Sequence, residues 1–206
     1  IANEYNDDPE KASRPFDANR SGFVFAEGCG IVIVESLAHA LKRGAKIYGE
    51  ILGHASSSDA YHIAALDPEG RGAIRSMKWA LQDAHVNPED IQYINAHGTS
   101  TKANDLMETQ AIKQVFNEHA YDLMVNSTKS MIGHALAASG AIEIIACAMS
   151  LVEKVVHPTI NYETPDPDCD LDYVPNNSRE VKDLRVLASN SFGLGGQNAT
   201  IVLGAV

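Results

Sequence analysis

The segment "DIQYINAHGTST" (Asp90–Thr101) joins a short apolar run to a polar loop that contains one histidine, His97. The apolar run predicts a buried strand. The small hydroxyl-bearing residues after it suit a place where the backbone and a ligand approach each other closely. A lone buried histidine is more often a core group than a functional one, so the meaning of His97 depends on what the fold brings to it.

Strands and helices alternate on both sides of this segment. Predicted strands cover residues 30–35, about 47–53, 90–95 and 123–127. "RVLASNS" and "ATIVLGA", separated by the glycine-rich "FGLGGQN", are expected to close the chain as a pair of antiparallel strands. Predicted helices cover about 36–43, 74–85, 104–117 and 136–153. From residue 47 onward this order favours an α/β fold with a largely parallel sheet and helices on both faces.

Two of these helices carry further expectations. Asn104 or Asp105 is available to cap the helix that starts near residue 104. The helix over 136–153 is apolar nearly all round, which predicts a position in the middle of a larger structure. Glu143 on that helix is costly to bury without a cationic partner.

The composition excludes several classes of protein. The chain has 206 residues, 45% of them hydrophobic, and a net charge of -11, which argues against a nucleic-acid-binding surface. Its three cysteines, Cys29, Cys147 and Cys169, are too few and too irregularly spaced for a disulfide or zinc framework. No uninterrupted apolar run reaches the roughly 18 residues of a membrane span. The polar N-terminal segment resembles the interior of a longer chain rather than a signal peptide.

A second polar loop, "STKSMIGH" (Ser127–His134), also follows a predicted strand. Ligands of parallel α/β sheets bind beyond the carboxyl ends of the strands, so we expect His97, Lys129 and His134 to lie together. Singly, each has an ordinary alternative: a core histidine, an exposed loop lysine and a helix-capping histidine. Together, a cation beside two imidazoles favours their neutral form, which can donate hydrogen bonds to a developing oxyanion. Lys129 is then the nearest plausible partner for Glu143.

Other catalytic motifs are absent. The sequence has no GxSxG, HExxH or Walker loop, and "GLGGQN" does not open a helix after a strand as a dinucleotide motif does. His54, Asp59 and His62 match no strong metal-ligand template and are better read as a polar loop.

Five stretches resemble one family closely. They are "RPFDANRSGFVFAEGCGIVIVE" (14–35), "NAHGTSTKAND" (95–105), "NSTKSMIGHALAASGAIE" (126–143), "PTINYETPDPDCDLDYVPN" (158–176) and "SNSFGLGGQNAT" (189–200). Together they resemble the carboxy-terminal half of the β-ketoacyl-acyl carrier protein synthases, the elongating condensing enzymes of the type II system. The resemblance implies a thiolase-like fold, layered αβαβα, with residues 1–46 ending the first half and residues 47–206 forming the second.

The resemblance also implies roles for individual residues. His97 and His134 match the two active-site histidines, which bind the thioester oxygen while malonyl-acyl carrier protein loses carbon dioxide, and Lys129 matches the active-site lysine. The supporting residues it implies are Glu143, Asp105 and Glu108. The substrate-binding residues are Thr99 and Thr101 for the phosphopantetheine arm, and Phe192, Gly193 and Leu194 in a turn that supplies an oxyanion-hole N–H. It implies no metal and no cofactor.

The sequence departs from the family pattern at three places. None of the cysteines lies in the nucleophile motif, so this chain alone is not expected to condense substrates, and Cys29 is interpreted as a packing residue. Leu194 stands where a gating phenylalanine is usual. Ala64 and Ala65 replace hydroxyl residues that are common there.

The leading hypothesis is therefore that the chain is part of a 3-oxoacyl-[acyl-carrier-protein] synthase of fatty acid elongation. Its partners would be acyl carrier protein and acyl and malonyl thioesters, it would form a homodimer without a membrane span, and it would lie in the bacterial cytosol or an organellar matrix. The alternatives are a non-catalytic partner resembling a chain-length factor and an isolated half-domain that acts as a binding module. Retention of His97, Lys129 and His134 argues against a partner without chemistry.

Overall fold

The computed structural model describes all of residues 1–206. Its α-helices are α1 (Leu37–Lys42), α2 (Arg71–Ala84), α3 (Lys102–Phe116), α4 (Lys129–Ile132) and α5 (Ser139–Glu153). Its strands are β1 (Glu50–Ser58), β2 (Tyr93–Asn95), β3 (Met124–Asn126), β4 (Val155–Val156), β5 (Arg179–Glu180), β6 (Val186–Gly193) and β7 (Gln197–Gly204). The alternation of strands and helices predicted from residue 47 onward is confirmed.

Five strands form one mixed sheet in the order β1-β7-β6-β2-β3. The β2 strand pairs in parallel with β3 and with β6, whereas β6–β7 and β7–β1 are antiparallel. The expectation of a largely parallel sheet is therefore wrong. The tight turn between β6 and β7 places a hairpin inside the sheet, and β1 adds to the outer edge of that hairpin.

The two faces of the sheet are covered by different helices. Successive strand residues point to opposite faces, so Ile94 packs in the larger core with Met77 of α2 and Ile112 of α3. Tyr93 packs in the smaller core with Leu151 of α5. Helices therefore cover both faces, as predicted, and the carboxyl ends of β2 and β3 emerge between the two layers.

Several predicted boundaries differ from the structure, among them three near the site and at the edge of the sheet. The strand expected at about 47–53 lies at Glu50–Ser58, because its bounds follow its pairing with β7 rather than its own apolar residues. Helix α3 begins at Lys102, two residues early, and its cap is Thr101, whose hydroxyl accepts from the Asn104 N–H at 3.3 Å. The first turn of the long helix, Leu136–Ala138, is a 3₁₀ turn.

The segment "GIVIVE" (30–35) forms no strand, so that prediction is wrong. Ile31 and Ile33 are 79% and 78% exposed. The segment passes beside α5, where Gly30 lies against Ala141, and no strand within residues 1–206 offers it a hydrogen-bonding edge. An apolar run becomes a strand only when a neighbour pairs with its backbone.

Helix α5 is covered on one side only. Its buried residues form a stripe facing the sheet that includes Ser139, Glu143 and Cys147, whereas Ile145 and Met149 are partly exposed. By length and composition alone the helical stretch Leu136–Glu153 is able to cross a membrane, a weak indication because apolar core helices share these properties. The prediction that this helix lies in the middle of the structure is therefore wrong for residues 1–206, because one of its faces is uncovered.

Candidate active site

The loops after β2 and β3 meet at one edge of the sheet because these strands are parallel neighbours. This places the rings of His97 and His134 side by side, with 5.4 Å between their centroids and 82° between their planes. The ring of Phe192, at the end of β6, lies 5.8 Å from that of His97. The structure thus brings together the two histidines that the sequence placed at strand ends.

Lys129 is not an exposed loop lysine. Its side chain is 1% exposed, and its ammonium group donates to Oε1 of Glu143, whose side chain is fully buried on α5. The predicted pairing of these two residues is therefore present in the structure. Burial raises the pKa of Glu143, and the neighbouring Lys129 ammonium opposes that rise.

Both imidazoles are held in their neutral form. Burial, then the Lys129 charge, then His134 lower the pKa of His97 well below its usual value. Burial and the Lys129 charge lower the pKa of His134 to about 4. At neutral pH each ring therefore carries one N–H and one lone pair, which is the state expected of a neutral hydrogen-bond donor.

His97 is positioned through its backbone. The Glu108 carboxylate accepts the N–H groups of His97 and Gly98, each at 2.9 Å, and the Asn190 amide donates to it at 3.2 Å. Burial raises the pKa of Glu108 to about 7. Glu108 does not line the cavity described below, so its contribution is to fix the loop.

Asp105 connects the start of α3, which follows the His97 loop, to Phe16 and Arg20 near the beginning of the chain. Its carboxylate accepts the Phe16 N–H at 2.8 Å and lies 3.6 Å from Nε of Arg20. Burial raises the pKa of Asp105 to about 6. Asp105 also lies outside the cavity wall, so the expected supporting residues act on loop geometry rather than on a ligand.

Sequence reasoning missed a hydrogen bond that joins the two histidine loops. The Ser127 hydroxyl donates to the Gly98 carbonyl at 2.6 Å, and the Asn95 amide donates to the Thr128 hydroxyl at 2.8 Å. These contacts depend on the register between β2 and β3. No local pattern distinguishes Ser127 from the other serines of the chain.

A cavity of about 1030 Å³ opens beside the histidines. Its wall includes both histidines, Thr99, Thr101, Phe192, Gly193, Leu194, Ala64 and Ala65. The Thr99 and Thr101 hydroxyls lie 2.9 Å apart. Lys129 and Glu143 lie behind this wall, so they act on the cavity through their charges rather than by contact.

The glycine-rich turn between β6 and β7 forms one side of the cavity mouth. Phe192 is buried, whereas Leu194 is 80% exposed. Gly195 and Gly196 have φ values of +86° and +76°, which lets the turn reverse tightly. The side chain of Leu194 therefore projects from the turn toward solvent.

None of the three cysteines is placed to act as a nucleophile in this cavity. Cys147 is buried, and burial raises the pKa of its thiol far above the usual value. Burial also raises the pKa of Cys169, to about 11. Cys29 is exposed and outside the cavity wall, so its interpretation as a packing residue is wrong within this chain.

Two family models match the chain. The model for the β-ketoacyl synthase C-terminal domain matches residues 48–163, and the model for the β-ketoacyl synthase N-terminal domain matches residues 3–40. The chain is 59% identical over 196 residues to 3-oxoacyl-[acyl-carrier-protein] synthase 2 of Synechocystis sp., covering 95% of this chain and 47% of that relative. It is 54% identical to the protein of the same name from Coxiella burnetii, covering 98% of this chain and 48% of that relative.

Solved structures agree with this similarity. One is a type II polyketide synthase acyl carrier protein in complex with its ketosynthase, with a TM-score of 0.97 and 46% identity over all of this chain and 50% of that one. Another is the ishigamide ketosynthase/chain length factor, with a TM-score of 0.90 and 42% identity over 95% of this chain and 47% of that one. The chain thus has the ketosynthase fold and spans about half the length of the relatives it matches.

Proposed function

The chain belongs to the β-ketoacyl synthase family, and we propose that it is the carboxy-terminal part of a 3-oxoacyl-[acyl-carrier-protein] synthase. In this proposal it supplies the half-site that decarboxylates malonyl-acyl carrier protein for attack on an acyl-enzyme thioester. The observation that carries the proposal is a pair of neutral imidazoles in the wall of a large cavity, next to a buried ammonium. The centroids of the two rings are 5.4 Å apart.

Decarboxylation needs a place for negative charge. When the bond between the malonyl carboxylate and its α-carbon breaks, carbon dioxide leaves and the electron pair moves into the thioester carbonyl, giving an enolate oxygen. N–H groups of His97 and His134 donate to that oxygen without transferring a proton. The enolate carbon then attacks the acyl thioester, whose thiolate departs. Donors fixed before the reaction are worth most in a cavity that excludes water.

Lys129 contributes its charge rather than a proton. Burial and this ammonium together keep both imidazoles neutral, and the ammonium adds a positive potential at the place where the enolate forms. Glu143, which does not line the cavity, accepts from this ammonium and fixes its position. A cation held in this way needs no reorganisation when negative charge develops.

The rest of the cavity fits a long thioester arm. Thr99 and Thr101 would hydrogen-bond the phosphopantetheine arm of acyl carrier protein, and the turn at Phe192–Gly193 would supply a backbone N–H for the acyl-thioester oxygen. Ala64 and Ala65 leave apolar wall where hydroxyl groups would have offered more contacts. Leu194 would set how the acyl end is admitted.

The nucleophile must come from outside residues 1–206, because no cysteine of this chain reaches the cavity. We place the end of a first thiolase-like half at residues 1–46 and the second half at residues 47–206. The uncovered faces of α5 and of Ile31–Glu35 support this division, since the body of a first half would bury them. We further propose a homodimer in the bacterial cytosol that receives its substrates from acyl carrier protein and uses no cofactor.

The test separates the two half-reactions in the full-length protein. Changing His97→Ala or His134→Ala removes one donor each, and each change should lower malonyl decarboxylation by roughly 100-fold or more. Acyl transfer to the nucleophilic thiol should survive in part, because that step uses a different oxyanion hole. His54→Ala, at an exposed histidine on β1, is the control and should change neither rate. Undiminished carbon dioxide release in the His97 or His134 variants would overturn the assignment.

A second candidate is a non-catalytic partner resembling a chain-length factor. The similarity to a ketosynthase/chain length factor assembly favours considering this candidate. The residue at the nucleophile position of the full-length protein decides between the two. Cysteine there, alkylated by iodoacetamide with loss of condensation, supports the enzyme, and any other residue supports the partner. An isolated binding module would bind acyl carrier protein without releasing carbon dioxide.

A further inference from the structure

Ser139 is a cavity residue to which the proposed chemistry assigns no role. It is the first residue of α5 and is buried on the stripe that also carries Glu143. Its hydroxyl oxygen lies 3.1 Å from Nδ1 of His134 and has no other hydrogen-bond partner. A hydroxyl held beside the ring of a proposed oxyanion donor is able to decide which ring nitrogen carries the proton.

The main chain already fixes one side of the His134 ring. The Leu136 N–H donates to Nδ1 at 3.1 Å. Leu136 adopts a φ of +52°, a strained conformation for a leucine, and this turn aims its N–H back at the ring. Because Nδ1 accepts a hydrogen bond, the proton of the neutral ring is on Nε2.

The same contact decides the direction of the Ser139 hydrogen bond. An unprotonated Nδ1 has no hydrogen to give, so the hydroxyl must be the donor. The charged and titratable groups that face this ring are His97 across the cavity and Lys129 behind it, and the N-terminal turn of α5 adds a positive potential. Burial, the Lys129 charge and this helix end disfavour a second proton on His134, which keeps Nδ1 free to accept.

We propose that Ser139 is a positioning residue for His134. Its hydroxyl donates a second hydrogen bond to Nδ1, and with the Leu136 N–H it locks the ring in the tautomer that presents Nε2–H to the thioester oxygen. Ser139 does not touch the reacting atoms. This inference rests on the proposed function for its catalytic consequence, but its statement about the ring stands on the contacts alone.

The first measurement needs no activity. In the full-length protein labelled with ¹⁵N-histidine, the nitrogen signals of His134, assigned by their loss in His134→Gln, should show a bare Nδ1 and a protonated Nε2 at pH 7. In Ser139→Ala the neutral ring loses one donor, so the pH at which His134 titrates should rise by about half a unit to one unit. A protonated Nδ1, or an unchanged titration, would overturn the proposal even if the protein lacks condensing activity.

The second measurement concerns catalysis. Ser139→Ala should lower kcat for malonyl decarboxylation by about 3- to 10-fold with KM little changed, and it should move the acid limb of the pH profile upward with the titration. Ser139→Thr, which keeps a hydroxyl, should restore both values. Ser139→Cys, which keeps the volume with a weak donor, should resemble Ser139→Ala and serves if the alanine variant is unstable.

The matched control is Ser150→Ala, a buried serine on the same helix that is outside the cavity wall. It should leave kcat, KM and the acid limb unchanged. Equal losses in the Ser139 and Ser150 variants, or a Ser139→Ala protein with the kcat and acid limb of the unmodified protein, would show that Ser139 only packs.

Discussion

The two histidines of the site are held in different ways. Glu108 fixes His97 through backbone N–H groups, and the ring nitrogen Nδ1 of His97 is buried without a partner. His134 is fixed through its ring, by Leu136 and Ser139. The position of His97 therefore depends on its loop, whereas the orientation of His134 depends on individual hydrogen bonds.

Changing one residue of the Lys129–Glu143 pair should lower the free energy of unfolding more than expected from its share of the loss when both are changed. Either Lys129→Met or Glu143→Leu leaves one buried charge unpaired, and each should lower the free energy of unfolding by about 3 to 5 kcal/mol. The double variant should lose much less than the sum of the two, because neither charge remains. Urea unfolding of the four full-length proteins measures this, and strictly additive losses would contradict a coupled pair.

Leu194 should influence which acyl chains enter the cavity. Leu194→Phe places a ring at the mouth, where the present side chain is 80% exposed, and should shift the preference among short and long acyl carriers. Leu41→Phe, at another exposed leucine that is outside the cavity wall, is the control. The readout is the rate of elongation across a series of acyl lengths, and an identical profile in both variants would remove Leu194 from the entrance.

At the scale of elements, the site depends on how closely the loops after β2 and β3 approach. A side chain at Gly98 would place its Cβ 2.5 Å from the Cβ of Ser127. This contact and the Ser127 hydrogen bond keep the loop of His97 against the loop of Lys129 and His134. The sheet register thus sets the distance between the catalytic groups.

Gly98→Ala should therefore disrupt catalysis. The change adds a clash between the two loops to the cost of a left-handed residue, since φ is +42° at Gly98. We expect at least a tenfold loss of decarboxylation rate. Gly44→Ala is the control, because Gly44 also has a positive φ, +66°, with nothing within 4 Å of the added methyl group. That variant should lose only about 1 to 2 kcal/mol of stability and no activity, so equal activity in the two variants would contradict the role of this close approach.

The elements also show what the sequence predicts and what it does not. The apolar periodicities of α2, α3 and α5 and the runs at β2 and β3 are local, so their order and the meeting of both histidine loops follow from residues close in sequence. The antiparallel β6–β7 hairpin is local as well, because one short glycine-rich turn joins its strands. The pairing of β1 with β7 and the hydrogen bond from Ser127 to Gly98 join residues far apart in sequence, so no short window encodes them. The contact of Ser139 with His134 spans only five residues, but it depends on the left-handed turn at Leu136, which no residue type there signals.

At the scale of the whole molecule, the exposure of one segment does not match its apolar composition. "GIVIVE" has the composition of a buried strand, yet it is exposed beside a groove of about 790 Å³ that α5 also lines. In the proposed division, the body of a first half would cover this segment, which would account for its apolar composition. The same explanation covers the exposed side of α5 and Cys29.

The most direct test of the central claim is the pH dependence of carbon dioxide release from malonyl-acyl carrier protein by the full-length protein. If neutral imidazoles hold the enolate, the rate should not rise as the pH falls from 8 through 6, because protonation of Glu108, whose pKa is about 7, can only loosen the His97 loop. The rate should be lost near pH 4 to 5, where His134 gains its second proton. A rate that rises as the pH falls through 6.5, the pKa of an ordinary imidazole, would mean that a charged histidine stabilises the enolate and would contradict the account.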